Sequence, residues 1–297
     1  MTEILELGID IIHWLEAFRS PLLNQFFFVV TDIGSTAGYL AMLPILWWAF
    51  SWKLGARLFV ALVLSVYINT LIKDLVALPR PFVYADIANL RAPGELSFPS
   101  GHAQQAAVFF GLLALHFKKH WFTTVAALTV FLIGFSRVYL GAHFPSDVLA
   151  GWTLGAAMAW GYARWSETLA EKAAGLSLNA QVLLTLCVPI ALALLHPSRN
   201  TALAMGGLAG ALGGLVFAYH QGLYQEGVQA RNRRAWLVVG LLGLPVIYFA
   251  LRQLSPGQDS VYYYLYLWLR FAAIGLWVSF LVPRIVAVIR DRRQAPA

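Results

Sequence analysis

The sequence predicts an all-α fold: a polytopic transmembrane helix bundle of about nine spans, preceded by an N-terminal interfacial amphipathic helix. Three observations carry this. Of 297 residues, 60% are hydrophobic and 12% charged, against about 25% charged in a soluble domain. Apolar stretches approaching the roughly 20 residues needed to cross a bilayer follow one another along the chain. The loops between them alternate between rich and poor in basic residues. One cysteine, Cys187, excludes an internal disulfide and any zinc site built on two or more cysteines.

The elements follow in order. Ile4, Leu7, Ile11, Leu15 and Phe18 recur at helical spacing, with Glu3, Glu6, Asp10 and His13 between them. Residues 3–18 therefore suit an amphipathic helix at the membrane interface, and equally a helix packed on the bundle. Four acidic residues and the lack of a basic leading stretch argue against a cleavable signal. Residues 24–51 are apolar at both ends but interrupted by Thr31-Asp32-Ile33-Gly34-Ser35. This predicts a break at 31–36 and a first span near 37–51. Further spans are expected at 55–72, 101–117, 121–139, 146–163, 180–196, 201–219, 235–251 and 261–283. The grouping is 1–36, an amphipathic helix and leading segment; 37–165, a core carrying the polar motifs; and 166–297, an additional four-span bundle.

The net charge of +7 does not imply nucleic acid, because the cations are distributed by topology. Thirteen of the 21 lie in one set of loops, among them Lys53, Arg57, Lys118, Lys119, Arg231, Arg233, Arg234 and Arg284. That set is expected in the cytoplasm with the C-terminus, which places the N-terminus on the periplasmic or lumenal side. In a bacterium the membrane would be the inner one.

Three short strings carry chemistry. Lys73 is followed after six residues by Arg80-Pro81; then comes Pro99-Ser100-Gly101-His102; then Ser136-Arg137, five residues, His143 and Asp147. Pro79 and Pro81 break helical continuity, so Lys73 belongs on a last helical turn and Arg80 on a loop folding back over it. Arg grips phosphate oxygens in a fork and Lys acts as a point charge. Two interfacial cations snorkelling to headgroups would look the same. Gly101 allows close backbone approach at a helix start, where free N–H groups bind anions, although a plain helix cap also fits. Asp147 lies one helical turn from His143, so its carboxylate can fix the imidazole tautomer; a capping Asp beside a surface His is the alternative. All three strings fall at span ends on the non-cytoplasmic face, where four ends converge on a shallow site. The set can move a phosphoryl group through a phosphohistidine, with no metal and no cofactor required.

The pattern K-x6-R-P, P-S-G-H, S-R-x5-H-x3-D resembles that of the type-2 phosphatidic acid phosphatase superfamily, which includes membrane lipid phosphate phosphatases and soluble vanadium haloperoxidases. Every motif position is matched over roughly residues 50–165. The resemblance implies His143 as nucleophile, Asp147 as its orienter and His102 as general acid. Lys73, Arg80, Ser100, Gly101 and Arg137 would bind phosphate. Hydrophobicity excludes the soluble branch. The implied substrate is a lipid phosphate or diphosphate in the bilayer: undecaprenyl diphosphate first, then phosphatidic acid, phosphatidylglycerol phosphate or a sphingoid phosphate. Alternatives are a sugar phosphate, phosphotransfer from the same site, or a non-enzymatic lipid transporter or scaffold. Gln104 and Arg270 are candidate pocket residues, Arg270 facing a polar pocket or pairing with Asp32. The last four spans would widen the lipid pocket or form the face of a homodimer.

Overall fold

A computed structural model describes residues 3–91, 94 and 96–294; the first two and last three residues of the expected terminal segments lie outside them. Thirteen α-helices make up the described residues, with no β-strand among them. They are α1 (Glu3–Glu16), α2 (Pro21–Ile33), α3 (Thr36–Ile45), α4 (Trp52–Val76), α5 (Pro81–Tyr84), α6 (Gly101–Phe117) and α7 (His120–Tyr139). Then follow α8 (Pro145–Ala174), α9 (Leu178–Leu195), α10 (Arg199–His220), α11 (Val228–Gln253), α12 (Tyr263–Leu276) and α13 (Val282–Gln294). Two π-helical turns, Leu46–Phe50 and Trp277–Leu281, continue α3 and α12.

Every expected span is helical. Six helices are long and apolar enough to cross a membrane, or seven when α2 and the α3 segment count as one bent span. The shortfall from nine has a local cause. Helix α6 has only 17 residues, and the start of α8 is diluted by Gly, Ala and Ser. The interruption at 31–36 is a break at Gly34-Ser35 that bends the chain by 53°. Ser35 starts α3, its hydroxyl accepting from Gly38 N–H at 3.2 Å.

The chain divides into two compact units, one of residues up to Leu40 with Leu64–Ser166, the other of Ala41–Val63 with Glu167 onward. In the first, α1 packs through Gly8, Ile9, Ile12 and Leu15 in a cluster with Ile87, Ala103, Val138, Phe144 and Val148. Residues 3–18 are thus packed on the bundle, while Ile4, Leu7, Trp14 and Phe18 form a second apolar edge that stays exposed. Arg19 locks this corner by donating to Tyr139 O at 2.7 Å and Ala88 O at 3.0 Å. Helices α6 and α8 meet backbone to backbone at a Gly151-xxx-Gly155 pair. A Cβ on Gly151 would stand 2.6 Å from Ser100 O, and one on Gly155 would collide with Gln104 O.

In the second unit, Gly206, Gly210 and Gly214 of α10 face the backbone of α12 and its π turn, meeting Trp268 O, Ala272 O and Ser279 Oγ. An aromatic core holds Trp47, Trp48, Tyr224 and Trp236. The Tyr224 hydroxyl accepts from Trp47 Nε1 at 2.8 Å and donates to Ser279 O at 2.7 Å, tying the two π turns together.

Candidate active site

Four helix ends of the first unit supply the site. Lys73 lies on the last turn of α4, and His102 follows the N-cap Ser100 at the start of α6. Arg137 ends α7 and Asp147 opens α8 behind Pro145. The spacing between the last two is explained by how the chain folds back. The Arg137 carbonyl accepts from both Ala142 N–H (3.0 Å) and His143 N–H (3.2 Å). Gly141 makes that reversal with φ +71°, and a Cβ there would come 2.8 Å from Ala88 O.

His143 is 2% exposed. Its Nδ1 lies 3.2 Å from Asp147 Oδ2, and its Nε2 lies 3.2 Å from Arg80 Nη1. The same carboxylate oxygen accepts from Phe144 N–H at 2.9 Å. Asp147 is therefore a helix-capping Asp and an imidazole orienter at once. Buried Arg80 is held by Gly94 O at 2.9 Å and Ala142 O at 2.6 Å. Its anchoring leaves Nη1 aimed at His143 Nε2.

Lys73 Nζ donates to Ser97 O at 2.8 Å and Pro99 O at 3.0 Å, fixing the loop that precedes α6. That loop is also pinned by an antiparallel bridge between Pro79 and Leu96 and by Ser97 N–H on Leu78 O at 2.7 Å. Arg137 Nη1 donates to Thr31 Oγ1 at 2.7 Å, and Nη2 to Arg91 O at 2.9 Å. Ser100 makes no cap bond, and its Oγ is buried without a partner, as is Arg137 Nε. Half-buried His102 stands beneath the α2–α3 break, its Cδ2 3.6 Å from where a Cβ on Gly34 would be. Arg80, Ser97, Ser100, Arg137, His143 and Asp147 are all buried, so these side chains do not line a shallow depression.

The electrostatics follow from burial among cations. Burial, reinforced by Arg80, Lys73 and Arg137, holds His143 well below the ordinary histidine range, which keeps the ring neutral at neutral pH. Burial lowers Arg80 to about 10, still a cation at neutral pH. No group of three or more His, Cys, Asp or Glu side chains among the described residues could hold a metal ion.

Two candidate pocket residues take other positions. Gln104 is fully buried in an amide network. It accepts from Asn69 Nδ2 at 2.8 Å and donates to Ser65 O at 3.1 Å, so it braces α6 against α4. Arg270 does not pair with Asp32, whose partner is Arg91 at 2.9 Å. The Arg270 guanidinium lies 4.5 Å over the Tyr248 ring and donates to Tyr248 O at 3.2 Å. Aromatic stacking and a helix carbonyl take the place of a carboxylate. Ser97 and Thr31, which touch the motif residues directly, lie outside the three strings.

Residues 54–171 match the family model for the PAP2 superfamily, and residues 202–291 match that for the PAP2 superfamily phosphatase, transmembrane extension. Among similar curated proteins, phosphatidylglycerophosphatase B of Bacillus subtilis is 30% identical over 151 residues, covering 46% of this chain and 72% of that protein. Undecaprenyl-diphosphatase of Sulfolobus acidocaldarius is 34% identical over 105 residues, covering 35% of this chain and 50% of that protein. The crystal structure of a transmembrane PAP2-type phosphatidylglycerolphosphate phosphatase from Bacillus subtilis superposes with a TM-score of 0.51 at 25% identity. That superposition covers 57% of this chain and 88% of the other.

Proposed function

The chain belongs to the PAP2 superfamily, and we propose on that premise that it removes phosphate from a lipid phosphate or diphosphate by way of a phosphohistidine on His143. One observation carries the reading: Nδ1 of His143 faces Asp147 while Nε2 faces Arg80. A neutral imidazole so held presents a lone pair to an anion gripped by cations.

Phosphorus is attacked in line by Nε2, and the bond to the leaving oxygen breaks as His102 gives that oxygen a proton. Charge on the three equatorial oxygens is met by Lys73, Arg80, Arg137, the Ser100 hydroxyl and the N–H groups opening α6. Asp147 balances the positive charge on the phosphorylated ring. Water then attacks the phosphohistidine, His102 accepts its proton, and phosphate leaves. The distribution of loop cations supports a site on the non-cytoplasmic side, within reach of headgroups in that leaflet. Undecaprenyl diphosphate is the favoured substrate, followed by phosphatidic acid, phosphatidylglycerol phosphate and a sphingoid phosphate; similar proteins include ones named for undecaprenyl diphosphate and for phosphatidylglycerophosphate.

The test is phosphate release by detergent-solubilised protein from these lipids, sphingosine phosphate and glucose 6-phosphate, with EDTA present. Wild type should release phosphate from at least one lipid and His143→Ala from none. Turnover by folded His143→Ala, or full loss of activity in EDTA, would overturn the proposal.

A further inference from the structure

Ser97 is fully buried and lies outside every motif, yet it touches the first and the third. Its carbonyl accepts from Lys73 Nζ at 2.8 Å. Its hydroxyl donates to Asp147 Oδ2 and lies 3.3 Å from His143 Nδ1. Three donors thus converge on Asp147 Oδ2: Ser97 O–H, Phe144 N–H and His143 Nδ1–H. Asp147 Oδ1 has no partner, so the working charge of the carboxylate is concentrated on the oxygen that faces the ring. The Ser97 lone pairs also stand as a second acceptor for the Nδ1 proton.

We infer that Ser97 is a positioning residue for the phosphohistidine chemistry. It holds the Asp147 carboxylate against His143 and couples that pair to Lys73 through its own backbone. The inference rests on the phosphatase reading above. Ser97 does not contact phosphorus. By donating to Oδ2 it keeps the carboxylate ionised, so that Nδ1 retains its proton and Nε2 keeps its lone pair. Without the hydroxyl, the carboxylate holds a proton more readily and the ring is free to turn.

The test compares wild type, Ser97→Ala, Ser97→Cys, Ser97→Thr and His143→Ala on the best lipid substrate. Ser97→Ala should lower kcat by about 10- to 100-fold, the range for losing one hydrogen bond to a charged group. KM and vanadate inhibition should stay within about twofold. The acid limb of the kcat profile should move to higher pH, because a carboxylate that loses a donor protonates more easily. Ser97→Cys, close in volume but a weak donor, should repeat the loss should Ser97→Ala fail to fold. Ser97→Thr restores the hydroxyl and should recover kcat to within about fivefold. A wild-type kcat and pH profile in both Ser97→Ala and Ser97→Cys, or no recovery in Ser97→Thr, would overturn the inference. An inactive wild type, or an active His143→Ala, would instead overturn the phosphatase reading and this inference with it.

Discussion

Replacing Asp147 by Asn tests the electrostatic heart of the site with almost no change of shape. Asp147 is completely buried, so its charge is not screened by water. Of the three donors on Oδ2, Phe144 N–H can still be accepted by the amide oxygen. The His143 and Ser97 bonds lose their charged acceptor. Hydrogen bonds to charged groups contribute about 1.5–3 kcal/mol each, so the two together account for about 3–6 kcal/mol at the step where His143 becomes cationic. At about 1.4 kcal/mol per tenfold, kcat should fall roughly 10²- to 10⁴-fold. A separate effect falls on stability. The amide nitrogen would occupy the position of Oδ1, which has no partner, and a buried unsatisfied donor costs about 1–3 kcal/mol. Phosphate release reads the first effect, with His143→Ala as the floor, and thermal melting in detergent reads the second. An Asp147→Asn enzyme within about threefold of wild-type kcat would refute the argument that this carboxylate balances the nucleophile.

Three further outcomes follow from the geometry. Arg80→Lys keeps the charge but cannot reach Gly94 O, Ala142 O and His143 Nε2 together as the guanidinium does; kcat/KM should fall about 10²-fold, measured on the preferred lipid. His143 has a folded-state pKa well below its unfolded value. Below about pH 6.5 the unfolded chain therefore binds a proton that the folded chain refuses, and stability falls with pH there while this group has no effect above. Melting temperature should drop less between pH 7 and pH 5 in His143→Ala than in wild type. Gly155→Val would force α6 and α8 apart at Gln104 O and Ala107; overpacking of this kind costs about 1–3 kcal/mol, so thermal melting should come several degrees lower and activity should fall with it.

Much of the site was legible because phosphate chemistry demands particular residue types at helix ends. Lys73, Arg80, Ser100, His102, Arg137, His143 and Asp147 announced themselves by type and order, and prolines at 79, 81 and 145 placed them at turns. The interruption at Thr31–Ser35 was visible as a polar gap in an apolar run. Its use was not, because the Thr31 hydroxyl meets Arg137 across 106 residues and no local pattern encodes that pairing. Ser97 was hidden for the same reason, a small polar residue in a loop. Gln104 misled because a polar residue two positions past His102 looks like a pocket wall, whereas the helix directs it towards Asn69 and Ser65. The inward face of α1 was equally unreadable. Its periodicity fits lipid or protein, and the choice is made by Phe144, a residue far along the chain. The Gly151-xxx-Gly155 spacing is plain in the sequence, yet only the packing shows that it sets how closely the helices bearing Ser100 and Asp147 approach.

The contact of α1 with the catalytic loop also sets a schedule. Arg19 finds its carbonyl partner 120 residues later, at Tyr139, and Gly8 rests against Phe144, the neighbour of His143. At about 5–20 residues per second of synthesis, roughly 6–30 seconds separate the emergence of this helix from that of the surface it covers. Until Ile87 and Ala103 are made, its apolar inner face lacks its first partners within the chain, and the surface around Phe144 comes later still. The loop bearing His143 cannot reach its final packing until the first helix leaves the lipid and docks.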